Sequence, residues 1–311
     1  MPLVTMILKR VPWHIPVFLA PAFCIYGLFS AFPLIDTLRL SFFIEDTHGV
    51  QSFSGLQNYG FLFQDPILAQ EFWNALWVNC RFFIINMLVQ NPVALILAAL
   101  MATARIKGVV IYRTAIFLPT LLSVVIVGFI WKLILSPVWG VGETMMSWVG
   151  LEAWFGPWLG QQETALLTVS LISVWQYIGL PMILIYAALI GVPDELLDAA
   201  YVDGSRPLRT FFQIQLPLIY PTLGLVTILT FVGNFNAFDL MYTVYSGAGG
   251  GPEKSVDLLG TLFYRTFFGF ASQIGSTTMG ATVASLMFVI ILTGVAAYFF
   301  FIQRRLLRFQ Y

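Results

Sequence analysis

Six polar side chains stand inside or at the edge of otherwise apolar runs of this sequence: Gln90, Asn91, Gln176, Asn234, Asn236 and Asp239. Carboxamides donate and accept hydrogen bonds, and polar groups in a long apolar segment usually face a bundle interior or a cavity. Such groups can line a solute passage, or they can simply hydrogen-bond one helix to the next. Covalent and metal chemistry lack an arrangement. The histidines, His14 and His48, are far apart, and Cys24 and Cys80 show no metal-ligand spacing and read as small packing residues. The four lysines follow Leu8, Ile106, Trp131 and Glu253, so the Gly-Lys pair of a phosphate-cradling loop does not occur. No metal and no cofactor of its own is expected, nor catalysis. Energy for an active process must come from another subunit or from an ion gradient.

The elements that position these residues are membrane helices. Of 311 residues, 59% are hydrophobic and 10% charged, with mean hydropathy +0.86. A soluble domain carries about 25% charged residues, so this chain cannot cover a globular surface. The apolar runs are long and continuous, which predicts an all-α integral membrane protein. Zero formal net charge leaves no basic footprint for nucleic acid.

Six spans are read, at about residues 11–35, within 72–103, then at about 109–135, 165–190, 218–245 and 278–302. Pro16, Pro21 and Pro33 are expected to bend the first, and Gln90-Asn91-Pro92 to break the second in its middle. Residues 36–71 and 136–164 read as outer loops; Trp139, Trp148, Trp154 and Trp158 suit an interfacial aromatic belt. Residues 246–252, S-G-A-G-G-G-P, read as a flexible outer turn, followed by an amphipathic segment at 255–268. Counted along their spans, Arg81 and Asp239 both fall near the outer boundary, where they either pair, flank an outer vestibule or separately reach interface water.

The longest polar stretch runs from Pro193 to Pro217, P-D-E-L-L-D-A-A-Y-V-D-G-S-R-P-L-R-T-F-F-Q-I-Q-L-P. Asp194 is a plausible N-cap of a short helix, and Asp194, Glu195 and Asp198 suit the positive end of its dipole. Gly204, after Asp203, is expected to stop that helix in a left-handed conformation. Ser205 can cap a second helix, with Pro207 in its first turn and Phe211, Phe212, Ile214 and Leu216 supplying apolar side chains. A water-facing helix–Gly–helix with apolar faces suits the groove of a soluble partner.

This stretch resembles the EAA loop of ABC-importer permeases, E-A-A-x-x-D-G-A-x5-F-x-x-I-x-L-P. Asp198-Ala199-Ala200, Asp203-Gly204-Ser205, Phe211, Ile214 and Leu216-Pro217 stand at those spacings, with Asp198 in place of Glu and Ser205 in place of Ala. Residues 53–59, F-S-G-L-Q-N-Y, resemble the G-x-x-N-Y of sugar-importer permeases. Asn236 to Leu240, then Gly249-Gly250-Gly251-Pro252, then Tyr264-Arg265-Thr266, resemble the F-D…G-G-P…Y-R-T pattern of the carbohydrate-uptake branch related to the maltose and glycerol-3-phosphate systems.

The resemblance implies a type I importer permease fold with six membrane helices in a bacterial or archaeal inner membrane. It implies ABC ATPase subunits as a dimer, a second and usually different permease, an extracytoplasmic solute-binding protein and a sugar as partners, with ATP used by the ATPase. In the family the loop matching 193–217 sits in a cleft of the nucleotide-binding subunit. ATPase coupling is thereby expected of Asp198, Ala199, Ala200, Asp203, Gly204, Phe211, Ile214, Leu216 and Pro217. Amides and aromatics suit a sugar path, expected at Gln90, Asn91, Gln176, Asn234, Asn236 and Asp239. The chain divides into 1–71 (first helix and outer loop), 72–306 (permease core) and 307–311 (cytoplasmic tail).

Cationic residues orient the chain. Lys9, Arg10, Arg105, Lys107, Arg113, Arg206, Arg209, Arg304, Arg305 and Arg308 lie on the side of both termini, against Arg39, Arg81, Lys132, Lys254 and Arg265 opposite. This bias puts both termini and the Pro193–Pro217 stretch in the cytoplasm. The alternative is an ion-coupled secondary transporter, which would need coupling carboxylates near mid-membrane and often shows internal repeats; neither is evident.

Overall fold

The computed structural model describes residues 13–45, 50–103, 108–271 and 274–303. Lys9, Arg10, Arg105, Lys107, Arg304, Arg305 and Arg308, on which much of the orientation reading rests, lie outside them, as does the tail 307–311.

The spine is α4 (Pro66–Thr103), a continuous helix of 38 residues. Asp65 starts it, its Oδ1 accepting from the backbone N–H groups of Ile67 and Leu68 at 2.9 Å, with Pro66 in the first position, where no N–H is needed. At 1.5 Å per residue α4 is about 57 Å long, so it overhangs a ~30 Å hydrocarbon core. The break expected at Gln90-Asn91-Pro92 does not occur. Pro92 lies inside the helix, and beside it Asn91 donates to the sulfur of Met87 and accepts from Thr230 at 3.1 Å. The expected boundary at 71/72 falls inside this helix.

Among the described residues three helical stretches are long and apolar enough to cross a membrane: His14–Leu40, Pro66–Ala102 and Thr277–Phe300. Three further pairs count as one span each only if a bend is allowed: 96° between Val109–Leu121 and Val124–Ile134, 47° between Gln162–Tyr177 and Gly179–Ile190, and 67° between Pro207–Leu218 and Tyr220–Phe235. The sequence reading gives 109–135 and 165–190 as single spans, and the structure bends both; the 67° bend falls where the 193–217 loop meets the span read from 218. The first stretch is α1 (His14–Tyr26), a π-turn at Gly27–Ala31 and α2 (Phe32–Leu40), running on despite its prolines, and α1 buries no residue against the rest of the chain.

The region expected to be an outer loop forms a hairpin, β1 (Phe43–Glu45) antiparallel to β2 (Gln51–Phe53), and α3 (Gln57–Gln64). The Asn-Tyr of the G-x-x-N-Y match is a clamp. Asn58 donates to the carbonyls of Ser41 and Phe43, and the Tyr59 hydroxyl bridges Ser41 Oγ and Ser285 Oγ at 2.8 and 2.7 Å. It thereby ties α2 to α16 (Thr277–Ala297).

The remaining helices are α5 (Val109–Phe117), α6 (Val124–Ile134), α7 (Val141–Ser147), α8 (Gln162–Tyr177), α9 (Gly179–Ile190), α10 (Asp194–Val202), α11 (Pro207–Thr210), α12 (Leu216–Leu218), α13 (Tyr220–Phe235), α14 (Asp239–Val244) and α15 (Leu259–Phe268). Three apolar clusters hold them along α4. Ala94, Ala98 and Met101 pack with Met182, Ile185 and Leu189 of α9 and Ile219 at the start of α13. Val78 and Phe82 pack with α6, α8 and α14, and Phe72 and Ala75 with α3, α13, α15 and α16. The first cluster marks the end that carries residues 193–217, and the last marks the opposite end.

Gly179 permits the α8–α9 bend. A Cβ there would come within 2.7 Å of the Phe117 Cα and 3.0 Å of the Ile116 carbonyl, so a larger residue would push α9 off α5.

Candidate functional site

Two places answer to the expected site: a cavity at mid-chain depth and the polar loop.

The cavity forms where two helix breaks meet α4. Its volume is about 310 Å³. The expected single span at 218–245 ends at Phe235; residues 236–238 are irregular, Phe238 sits at φ −148° and ψ −53°, and α14 starts afresh at Asp239. Counting helical rise to Asp239 therefore overruns the helix. This break and the 47° bend at Ile178 open the space between α4, α8, α9, α13 and α14. Broken helices line such cavities because their freed backbone groups need polar surroundings.

Gln90, Asn234, Asn236 and Asp239 line it, joined by Ser173, Tyr177, Thr230 and the rings of Phe82 and Phe238. Asn234 spends its amide N–H on the Thr230 carbonyl at 2.7 Å, while its buried Oδ1 has no protein partner. Asn236 is exposed and back-bonds to the Val232 carbonyl at 3.0 Å.

Two expected path residues are not brought to the cavity. Asn91 bonds Met87 and Thr230 between α4 and α13. Gln176 is fully buried; its Nε2 donates to the Leu122 carbonyl and its backbone carbonyl accepts from Thr120 Oγ1 at 2.8 Å. Its side chain thus satisfies backbone freed by the 96° bend between α5 and α6. Sequence reasoning chose Gln176 and missed Tyr177; only knowledge of the bend after Tyr177 separates them. Arg81 and Asp239 are both exposed, and neither takes part in an ion pair among the described residues.

The loop follows the expected helix–Gly–helix, with local corrections. Asp194 is the first residue of α10, not its cap; Pro193 occupies the cap position and no side chain caps it. Gly204 adopts φ +73°, and the Ser205 N–H reaches the Ala200 carbonyl at 2.9 Å, closing a Schellman turn. Arg206, not Ser205, holds the cap position of α11, with Pro207 following; Ser205 Oγ instead accepts from Thr210 at 3.0 Å. Phe211–Gln215 is a π-turn leading into α12.

The expected coupling residues divide between two faces. Ala200 is buried, and Phe211 and Leu216, with Leu197, pack on the cluster of α4, α9 and Ile219. Ile214 and Pro217 are half-buried. Asp198, Ala199, Asp203 and Gly204 face outward, beside exposed Leu196, Tyr201, Val202, Leu208 and Phe212. The loop is anchored by one apolar face and displays another.

At the opposite end, the expected flexible turn is a packed corner. Arg265 is 4% exposed and forks onto Asp257, with Nη2–Oδ2 at 2.8 Å and Nη1–Oδ1 at 3.1 Å; Nη2 also reaches Glu71 at 3.1 Å and Nη1 the Ala248 carbonyl at 2.8 Å. Lys254 pairs with the other oxygen of Glu71. Burial works against the Arg265 charge, but Asp257 and Glu71 outweigh it and hold its pKa above the ordinary value. Counting Arg265 only among the cations opposite the termini missed this cluster, because its partners lie 8 and 194 positions away.

Residues 90–308 match the family described as the binding-protein-dependent transport system inner membrane component, and the chain belongs to that family. It is 32% identical over 283 residues, 89% of this chain and 93% of the relative, to a probable ABC transporter permease protein, YurN, of Bacillus subtilis (strain 168). It is 28% identical over 276 residues, 87% of this chain and 84% of the relative, to the arabinooligosaccharides transport system permease protein AraP of Halalkalibacterium halodurans. Its fold is similar, with TM-score 0.77 at 22% identity over 92% of each chain, to that of a chain in a bacterial alginate ABC transporter solved in complex with an alginate pentasaccharide-bound periplasmic protein. The chain is thus a multi-pass membrane permease subunit of an ABC importer, a transport component and not an enzyme. Family membership sets aside the ion-coupled alternative.

Proposed function

We propose that this permease serves an ATP-driven carbohydrate importer, forms half of its translocation path, and receives its drive through residues 193–217. The observation that carries the reading is the two-faced loop: Leu197, Phe211 and Leu216 hold it to α4, α9 and the start of α13, while Asp198 and an exposed apolar row face away. A short element pinned between spans and presenting a face to a soluble partner transmits rigid-body motion. In this reading residues 72–306 are the permease core, and Asp198 makes a charge-assisted contact with the ATPase. The cavity with Gln90, Asn234, Asn236 and Asp239 is the solute path, while Asn91 and Gln176 hold its frame. The chain itself binds no cofactor, and ATP is spent by a dimer of ATPase subunits. Both termini and the loop lie in the cytoplasm, a second, different permease completes the pore, and lipid surrounds α1. Carbohydrate is favoured by the amides and rings of the cavity, by the F-D…G-G-P…Y-R-T match and by the arabinooligosaccharide relative.

Affinity purification of the tagged chain from its native membrane in mild detergent tests this. An ATPase and a second six-span permease are expected to co-purify. Recovery of the folded chain alone, with sugar uptake persisting in vesicles stripped of any ATPase, would refute it.

A further inference from the structure

Asn79 is fully buried on the face of α4 that also carries Phe72, Ala75 and Phe82. An asparagine inside a membrane helix usually bonds along its own shaft or to a neighbouring one. Asn86 does the first, its Nδ2 donating to the Phe82 carbonyl at 2.9 Å, and Asn91 does the second through Thr230. Asn79 does neither. Its Nδ2 donates to the Asn234 carbonyl at 3.2 Å, and its Oδ1 accepts from the Leu259 N–H at 3.3 Å. Both partners are helix ends. Asn234 is the penultimate residue of α13, where carbonyls lose their intrahelical donors; Leu259 is the first residue of α15, where N–H groups lose their acceptors. One carboxamide thus serves an orphan of each sign. The Asn234 carbonyl also takes the Ala237 N–H at 3.3 Å, so the same oxygen holds the first residues of the break after α13.

The other side of the break is set by Gly260. A Cβ there would lie 2.7 Å from the Ala237 carbonyl oxygen and 3.1 Å from the Phe238 Cβ, so α15 touches residues 237 and 238 directly. Asn236, Ala237 and Phe238 all line the cavity. They are fixed from two directions, by Asn79 on α4 and Gly260 on α15. The start of α15 is tied in turn to the charged corner. Thr261 Oγ1 and Arg265 Nη1 both donate to Asp257 Oδ1, at 2.7 and 3.1 Å, and Thr261 Oγ1 accepts from the Leu258 N–H at 2.8 Å.

We propose that Asn79 is a positioning residue for solute passage: by clipping the end of α13 to the start of α15 it holds the break at 236–238 in the geometry that presents Asn234, Asn236 and Asp239 to the cavity together. This rests on the reading of the cavity as the solute path. Asn79 does not itself line the cavity, so it acts through the backbone it holds. Without the clip, the Asn234 carbonyl and the Leu259 N–H must find other partners, and any shift that supplies them moves residues 236–238. The polar groups at the cavity then lose their common aim, while the 193–217 loop, at the other end of α4, keeps its own anchors.

The test uses the complete transporter, with its ATPase and binding protein, in proteoliposomes. Uptake of radiolabelled lactose, maltose and arabinotriose is measured separately, together with ATP hydrolysed. For whichever sugar is carried, Asn79→Leu, which keeps the shape and loses both bonds, is expected to lower sugar moved per ATP by about tenfold, while ATP turnover stays within about twofold. Gly260→Ala, which leaves both Asn79 bonds in place and pushes on residues 237 and 238, is expected to lower the ratio by about threefold, and it decides the matter where Asn79→Leu does not assemble. An unchanged ratio in the deciding variant overturns the proposal. A parallel fall of uptake and ATP turnover also overturns it, by showing that Asn79 only holds the fold. Asn236→Ala, at the cavity itself, separates the two readings. If it lowers the ratio and Asn79→Leu does not, the cavity remains the solute path and the positioning role is wrong; if none of the three variants lowers it, both fall. A wild type that carries none of the three sugars refutes the carbohydrate reading, and the positioning role falls with it.

Discussion

The two ends of this permease are built on opposite principles. At the loop end, the fold of residues 193–217 depends on a Schellman turn at Gly204 and on apolar anchors, and its charged side chains point outward. At the far end, Glu71, Lys254, Asp257 and Arg265 meet across α4, the glycine-rich corner and α15, with three of the four buried. The loop's contacts are local or non-directional, so it can shift as a body without breaking a charge pair. The corner's contacts are directional and mutually dependent, so it cannot. A part proposed to transmit motion and a part that braces the frame thus differ in which interactions hold them.

The sharpest way to break this contrast is to remove the hub of the corner. Arg265→Met keeps much of the side-chain volume but leaves Asp257 and Glu71 facing each other with only Lys254 to balance them. Stranding buried charge costs about 3–5 kcal/mol. The variant is expected to lose most of its thermal stability in detergent, read as a large fall in Tm by scanning fluorimetry. An unchanged Tm would mean that the corner is no brace.

The same contrast explains what was legible in the sequence. The loop's motif is contiguous, and its turn is dictated by one glycine, so helix, stop and helix were all readable; only the caps moved, from Asp194 to Pro193 and from Ser205 to Arg206. The cavity was half legible. Gln90, Asn234, Asn236 and Asp239 are polar interruptions of apolar runs, and they do converge. Asn91 and Gln176 are interruptions of the same kind that serve helix contacts instead, and hydropathy alone does not tell the two apart. The corner was illegible. Glycine-rich sequence signals a turn, but whether that turn packs is decided by an arginine and carboxylates far along the chain. The bends inside 109–135 and 165–190 escaped for a related reason: apolar runs of span length carry no mark of the neighbours that stabilise a break.

Next in size is the loop's own pivot. Gly204 sits at φ +73° with nothing within 4 Å of a Cβ position, so sterics with neighbours do not forbid a side chain; the backbone does. Gly204→Val, β-branched in a left-handed conformation, costs about 1–2 kcal/mol locally. Sugar uptake is expected to collapse while Tm falls little, because the strain is confined to a segment outside the bundle core. Uptake at the wild-type rate would remove Gly204 from the coupling pathway. Asp198→Lys perturbs less still. Asp198 is exposed, so Tm should hold, and the expected loss is in retention of the ATPase during purification. Full retention would show that the outward face of α10 is not the contact.

The smallest effect is expected from the two charges between these regions. Arg81 and Asp239 are each exposed and unpaired with one another, Arg81 on α4 and Asp239 at the cavity. If they had paired, exchanging them as Arg81→Asp with Asp239→Arg would restore what either reversal loses. In this geometry the exchange has nothing to restore. The double variant should show the sum of the single losses, with a coupling energy under about 0.5 kcal/mol, as for sites that share no partner. Uptake in the single variants should also differ in kind: Asp239→Arg puts a long cation into the cavity proposed as the solute path and lowers transport, whereas Arg81→Asp exchanges one exposed charge for another. Recovery of transport in the double variant would require Arg81 and Asp239 to meet in another state of the transport cycle.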